Sequence, residues 1–319
     1  MRYLILLLLI ACPAIAQHEP PVRVIFDTDM GPDYDDVGAI TMLHNYADAG
    51  KAEILATIAS SKYPRVGPVL SVLNTYFGRP NIPIGVPKGW AVMDSDKQHW
   101  SDTLVVRYPH ALKTNADAPD AVALYRQILA KQPDYSVTII TVGFLTNLAN
   151  LLRSKPDKYS KLTGLDLITS KVRNLVSMAG KFPEGWEYNV YRDTTAAKTV
   201  FAEWPAPVLL SGFEIGAAIK TGLPLARNEA IRNSPIRDVF RISIPLDPND
   251  KDGRMSWDQT AVLVAIEGPE PYYSTQPGRL VMGRGGSNTW DTSGKGHAHL
   301  VVKRPPAEVQ RLIEGMMMR

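Results

Sequence analysis

The chain reads as an α/β protein: an open, mostly parallel sheet with helices on both faces and a C-terminal hairpin elaboration. Three observations predict this. Short β-branched runs alternate with helix-period segments from Val22 to Ser211. The strand segments are apolar throughout, as in sheets covered on both faces. An aspartate-rich turn follows the first strand, at the strand end where such sheets bind ligands.

Val22-Arg-Val-Ile-Phe26 forms the first buried strand and ends at Asp27. Asp35-Asp36 opens a helix with Val37, Ile40, Leu43 and Ala47 on one side and Gly50 as its C-cap. Two acids in that first turn complement the helix dipole. Residues 53–59 make the next strand, and 65–77 a helix closed by Gly78. Residues 118–131 follow as a helix capped by Asp117. Then come a strand at 136–142, a helix at 144–153, a strand at 172–178, a helix at 194–203 and a strand at 207–211. Beyond about residue 212 the alternation loosens, and 279–302 reads as a hairpin around a Gly/Ser/Asn-rich loop. No linker or repeat divides the chain, so residues 17–319 are expected to form one domain.

A net charge of +3 on 319 residues, with no run of five like charges, argues against a nucleic-acid partner. Arg2, the apolar stretch from Tyr3 to Ala11 and Ala14-Ile-Ala16 read as a signal peptide over residues 1–16. The stretch is too short to span a membrane, and no other is long enough. Export to the periplasm or the exterior is therefore expected. Leu9-Ile-Ala-Cys12 also resembles a lipoprotein box, so a lipid anchor at Cys12 stays open beside cleavage after Ala16. The latter is preferred because residue 12 is early for lipidation. Cys12 is the single cysteine, so no disulfide forms within the chain.

The chemistry lies in Phe26-Asp-Thr-Asp-Met-Gly-Pro-Asp-Tyr-Asp-Asp36, which holds five aspartates in ten residues. Carboxylates so crowded repel each other unless a cation neutralises them, and hard cations such as Ca²⁺ and Mg²⁺ choose oxygen ligands. A solvated turn with helix caps accounts for one or two of the five. Asp27-Thr-Asp29 also fits the D-x-D of haloacid-dehalogenase-type phosphatases, whose first Asp is the nucleophile. That class needs an acidic pair on a separate strand end, whereas Asp35-Asp36 lies in the same turn.

The same segment resembles the inosine–uridine nucleoside hydrolase family, and three later segments follow in order. Gly143-Phe-Leu-Thr-Asn-Leu-Ala149 is similar to that family's G-P-L-T-N segment. Met178-Ala-Gly180, Glu187-Tyr-Asn189 and Asp193 are similar to its M-G-G … E-F-N … D stretch, and Trp257-Asp258 to its late metal-ligand site. The resemblance implies Ca²⁺ held by Asp29, Asp36, Asp258 and the carbonyl of Val142, with two waters and two ribose hydroxyls completing the shell. It implies that Asp29 deprotonates the attacking water. It further implies sugar contacts from Asp35, Glu187 and Asn189, and hydrolysis of the N-glycosidic bond of a nucleoside. Family members associate, so a homo-oligomer is expected. A nucleoside- or sugar-binding protein without turnover is the rival from another class; its mark would be a missing ligand, and all three aspartates are present.

Several positions depart from the family pattern. The first loop is two residues longer than the common form; aligning Asp35-Asp36 as the family pair leaves Asp33 spare, and the other register stays open. Ser60-Ser61 stands where an Asn is frequent, and Ser60 is read as a substrate contact or as a strand-end turn. Lys181, near the place of the family's usual Asn, is read as exposed in preference to a substrate contact. Trp257 replaces a His that serves some members as leaving-group acid, so stacking on the base is the alternative. Trp90, Trp100 and Trp186 fall in loop-like stretches and are candidates for the other face of that stack. His297-Ala-His299 is expected to show two imidazoles on one exposed strand face, and His44 to be structural. No residue is assigned to protonate the leaving base.

Overall fold

The computed structural model describes residues 20–318. The signal-peptide and Cys12 readings fall outside the described residues. One ten-stranded sheet holds β1 (Val22–Thr28), β2 (Ala52–Ala59), β3 (Ile84–Gly85), β4 (Val137–Thr141), β5 (Val172–Met178) and β6 (Glu184–Trp186). Its other strands are β7 (Val208–Ser211), β8 (Tyr273–Met282), β9 (Ser287–Asp291) and β10 (His297–Val302). The order across the sheet is β3-β2-β1-β4-β5-β7-β10-β8-β9-β6. From β3 to β10 the neighbours run parallel; β8, β9 and β6 then each pair antiparallel.

The helices that build the site are α1 (Asp35–Asp48), α2 (Val66–Tyr76), α3 (Ala121–Leu129), α4 (Thr146–Arg153), α5 (Tyr188–Arg192), α6 (Thr194–Glu203) and α7 (Trp257–Glu267). Side chains alternate across β1. Val24 and Phe26 face a core shared with Val37 and Ile40 of α1 and Val262 and Leu263 of α7. Ile25 faces the opposite core with Tyr125 of α3 and Leu148 and Leu151 of α4. Each such side chain, fully buried, contributes about 1.5–3 kcal/mol of transfer free energy.

Two expectations shift. The helix foreseen from residue 118 starts at Ala121, and Asp120 rather than Asp117 caps it, accepting from the Ala123 amide at 3.0 Å. Pro119 pushes Ala118 into extended backbone, which forbids an earlier start. Asp117 instead closes a reciprocal cap with Thr114. The C-terminal hairpin is larger than foreseen: β8 begins at Tyr273, and β10 joins the main sheet beside β7. No helix among the described residues is long and apolar enough to cross a membrane.

The topology sets the site. The chain moves outward from β1 to β2 and β3, then returns to β4 on the other flank of β1. This reversal opens a crevice beyond the carboxyl ends of β1 and β4. Asp29 leaves the end of β1 and Val142 the end of β4, on neighbouring strands where Asp27 pairs with Thr141.

Candidate active site

A cavity of about 230 Å³ lies in that crevice, and its wall includes Asp29, Asp33, Asp35, Asp36, Val142, Glu187, Asn189, Trp257 and Asp258. These residues come from four separate parts of the chain. Close backbone approach joins the strand ends: a Cβ on Gly143 would lie 2.4 Å from the Asp29 amide nitrogen and 2.5 Å from Ser60 Oγ. Only glycine fits there.

Asp29, Asp36 and Asp258 are each at least nine-tenths buried. Burial pushes all three carboxyls up, Asp36 to about 6 and the others well above the carboxylate range. Mutual repulsion adds to the rise, since Asp36 acts on both Asp29 and Asp258. Thr28 donates its hydroxyl to Asp36. Among the described residues no cationic side chain forms an ion pair with any of the three.

Asp35 is differently placed. Its Oδ1 accepts from Arg254 Nε at 3.2 Å and Nη2 at 3.1 Å. Its Oδ2 accepts the amides of Trp257 and Asp258 at 3.0 and 3.1 Å. Four donors fill a carboxylate's acceptor sites. Asp35, expected as a sugar contact, stands on the cavity wall and ties α7 to the first loop. Arg254 also pairs with Asp33, and burial pulls its guanidinium down to about 10, still cationic at neutral pH. Carboxylate oxygens of Asp33, Asp35 and Asp36 come within 4.8 Å of one another, another acidic group able to hold a cation. Arg254 already neutralises two of its members. The less compensated set is Asp29, Asp36 and Asp258.

The opposite wall comes from the loop into α5. Glu187 caps that helix, accepting from the amides of Asn189 (2.9 Å), Val190 (3.2 Å) and Gly180 (3.2 Å). Burial nonetheless raises its carboxyl to about 7. Asn189 donates to the Val142 carbonyl at 3.0 Å, which leaves that oxygen a second lone pair. Trp257 turns its indole N–H to the Phe213 carbonyl at 2.8 Å, with the two rings 5.3 Å apart.

Behind the wall, Asp27 accepts from Tyr125 Oη at 2.8 Å and Asn147 Nδ2 at 3.1 Å. Asn147 also donates to the Ala59 carbonyl at 2.8 Å, linking the ends of β1 and β2. Asp193 is the N-cap of α6 and takes the Thr146 hydroxyl.

Some sequence candidates fall elsewhere. Ser60 is fully buried against Gly143 and is not among the residues of the cavity wall, a placement that matches its reading as a strand-end turn. Trp100 is buried at a helix start, while Trp90 and Trp186 are exposed; none lines the cavity. His297 is buried rather than exposed, its Nδ1 accepting from the Leu280 amide at 3.1 Å. His299 stacks on Phe182 with centroids 4.2 Å apart. His44 contacts Asn74 Oδ1 at 3.1 Å inside the core. Lys181 is exposed, as expected.

Sequence reasoning missed Arg254, Phe213 and Tyr188 as wall residues. A lone arginine in a loop gives no pattern of its own. Its place four residues before Asp258 was the one available signal.

The model of the family "Inosine-uridine preferring nucleoside hydrolase" matches residues 24–305. The inosine-uridine preferring nucleoside hydrolase of Crithidia fasciculata is 25% identical over 234 residues, covering 70% of each chain. The pyrimidine-specific ribonucleoside hydrolase RihA of Citrobacter koseri is 26% identical over 203 residues, covering 60% of each. Among solved structures, the plant nucleoside hydrolase PpNRh1 superposes with a TM-score of 0.70 at 20% identity, covering 94% of this chain and 99% of that one. The purine-preferring ribonucleoside hydrolase of Gardnerella vaginalis gives 0.70 at 18%, covering 93% and 99%. The family match makes the chain a nucleoside ribohydrolase, an enzyme that cleaves the N-glycosidic bond of nucleosides. The chain belongs to the inosine–uridine preferring nucleoside hydrolase family, as a divergent member.

Proposed function

We propose that hydrolysis at this site depends on Ca²⁺ held by Asp29, Asp36, Asp258 and the Val142 carbonyl. The observation that carries this reading is the set of three buried carboxylates, all hard oxygen donors, facing one cavity with no paired cation among the described residues. When bound, the ion would orient ribose hydroxyls and the attacking water and lower the pKa of that water.

The chain's own groups do the rest. Asp29 takes the proton from the attacking water, acting as general base. Glu187 and Asn189 hold sugar hydroxyls, and the carboxylate wall favours the positive charge that develops on the ribosyl ring. Trp257 offers a flat face to the base. Asp35 keeps Asp258 in place. A phosphatase is disfavoured because Asp27, which would be its nucleophile, is buried behind the wall and bound by Tyr125 and Asn147. The N-terminal residues support action outside the cytoplasm.

The test is Asp29→Asn. Calcium affinity by calorimetry and turnover of a nucleoside panel should both fall, turnover by about a hundredfold or more. Unchanged turnover would refute the assignment of Asp29.

A further inference from the structure

We propose that Arg254 contacts the leaving base and stabilises the negative charge it acquires as the C1′–N bond breaks. This rests on the nucleoside-hydrolase reading of the same cavity. That reading leaves the departing base without help: no histidine lines the cavity among the described residues, and the Trp257 indole N–H is already given to Phe213. Among the described residues Arg254 is the one cationic side chain on the wall.

Its placement suits the task. The guanidinium lies 4.9 Å from the Tyr34 ring centroid and 5.1 Å from that of Trp257, the residue assigned to the base. Nε and Nη2 are fixed on Asp35, and Nη2 also on Asp33. Nη1 makes no hydrogen bond among the described residues, and it lies 3.5 Å from Asp250 Oδ2. One edge of the fork is therefore anchored while the other keeps N–H groups to give. The backbone is held as well, because Arg254 pairs with Thr221 in a two-stranded ribbon. A guanidinium does not give up its proton near neutral pH, so the group serves as a charged hydrogen-bond donor rather than as an acid.

The step balances. The C1′–N bonding pair passes to the base nitrogen, where Arg254 holds the resulting anion. The water oxygen forms the new C1′–O bond and its proton goes to Asp29. That proton reaches the base through solvent, so nucleoside and water become ribose and neutral base. Arg254 keeps its protons throughout.

The experiment compares Arg254→Gln and Arg254→Lys with wild type in the full Ca²⁺-supplemented chain, on the best nucleoside of a panel and on 4-nitrophenyl β-ribofuranoside. The nitrophenolate leaves unaided, so a residue that assists departure matters little for it. Arg254→Gln should lose about a hundredfold in kcat on the nucleoside and little on the nitrophenyl riboside. Arg254→Lys, which keeps the charge and guards against simple misfolding, should show the same ordering with a smaller loss. Equal losses on both substrates in both variants would overturn the proposal and make Arg254 only a prop for Asp35. Wild type cleaving neither substrate would overturn the hydrolase reading itself, and this inference with it.

Discussion

Asp35 accepts the backbone N–H of Asp258 at 3.1 Å across 223 positions of sequence, so the first acidic loop and the start of α7 form one unit. Asp258 is positioned by a neighbouring acid that is not itself a ligand in this account. Asp35→Asn keeps the shape and loses the charge that holds Arg254. Groups that orient metal ligands typically contribute 10–100-fold to affinity. Calcium titration by calorimetry should show a weakening of about that size.

Gly143 is the point where the ends of β1, β2 and β4 meet. In Gly143→Ala the new methyl would sit 2.4 Å from the Asp29 amide nitrogen, so the strand ends must separate. Overpacking of this kind costs about 1–3 kcal/mol. A misplacement of about 1 Å at the catalytic carboxylate costs roughly a hundredfold in rate. Urea melts and kcat measured together should show a modest stability loss beside a large catalytic one.

Asn147 joins Asp27 to the Ala59 carbonyl in a buried place. Asn147→Ala strips a donor from each of two buried acceptors, a loss of about 2–4 kcal/mol. The urea midpoint should fall accordingly. An unchanged midpoint would mean that water replaces the amide.

Glu187 gives the protein a pH signature. Its folded carboxyl is raised to about 7 from an ordinary 4.5, chiefly by burial. Below about 4.5 the group is protonated in both states, and its contribution is fully present. As pH rises through about 7 the buried group must ionise, and that stabilisation is lost. Chelator-treated protein should therefore lose stability between about pH 4.5 and 7. Glu187→Gln should flatten that fall by about 3 kcal/mol across the window. Parallel thermal melts of both proteins at stepped pH measure it.

Much of this was legible in the sequence because it repeats simple patterns. The apolar strand runs and the spacing of Val37, Ile40 and Leu43 are enough to place β1 and α1. The crowding of Asp27 to Asp36, with three later segments in order, named residues that the fold gathers around one cavity: Asp29, Asp36, Val142, Glu187, Asn189 and Asp258. What stayed hidden depends on contacts distant in sequence. Asp35 could not be seen as a brace until the α7 amides stood beside it. Arg254 has no periodic partner, and its value comes from the two rings around it. Ser60 looked available because strand ends in such sheets usually open to the ligand, but Gly143 brings the neighbouring strand over it. Pro119 moved a helix start through its own backbone restriction, which the sequence did contain.

The most direct measurement is release of free base and ribose from a nucleoside panel by the purified protein, with EDTA and then with Ca²⁺ restored. Base and ribose should appear in equal amounts, be lost on chelation and recover with Ca²⁺. Release that persists in EDTA, or phosphate freed from nucleotides without any base, would contradict Ca²⁺-dependent nucleoside hydrolysis.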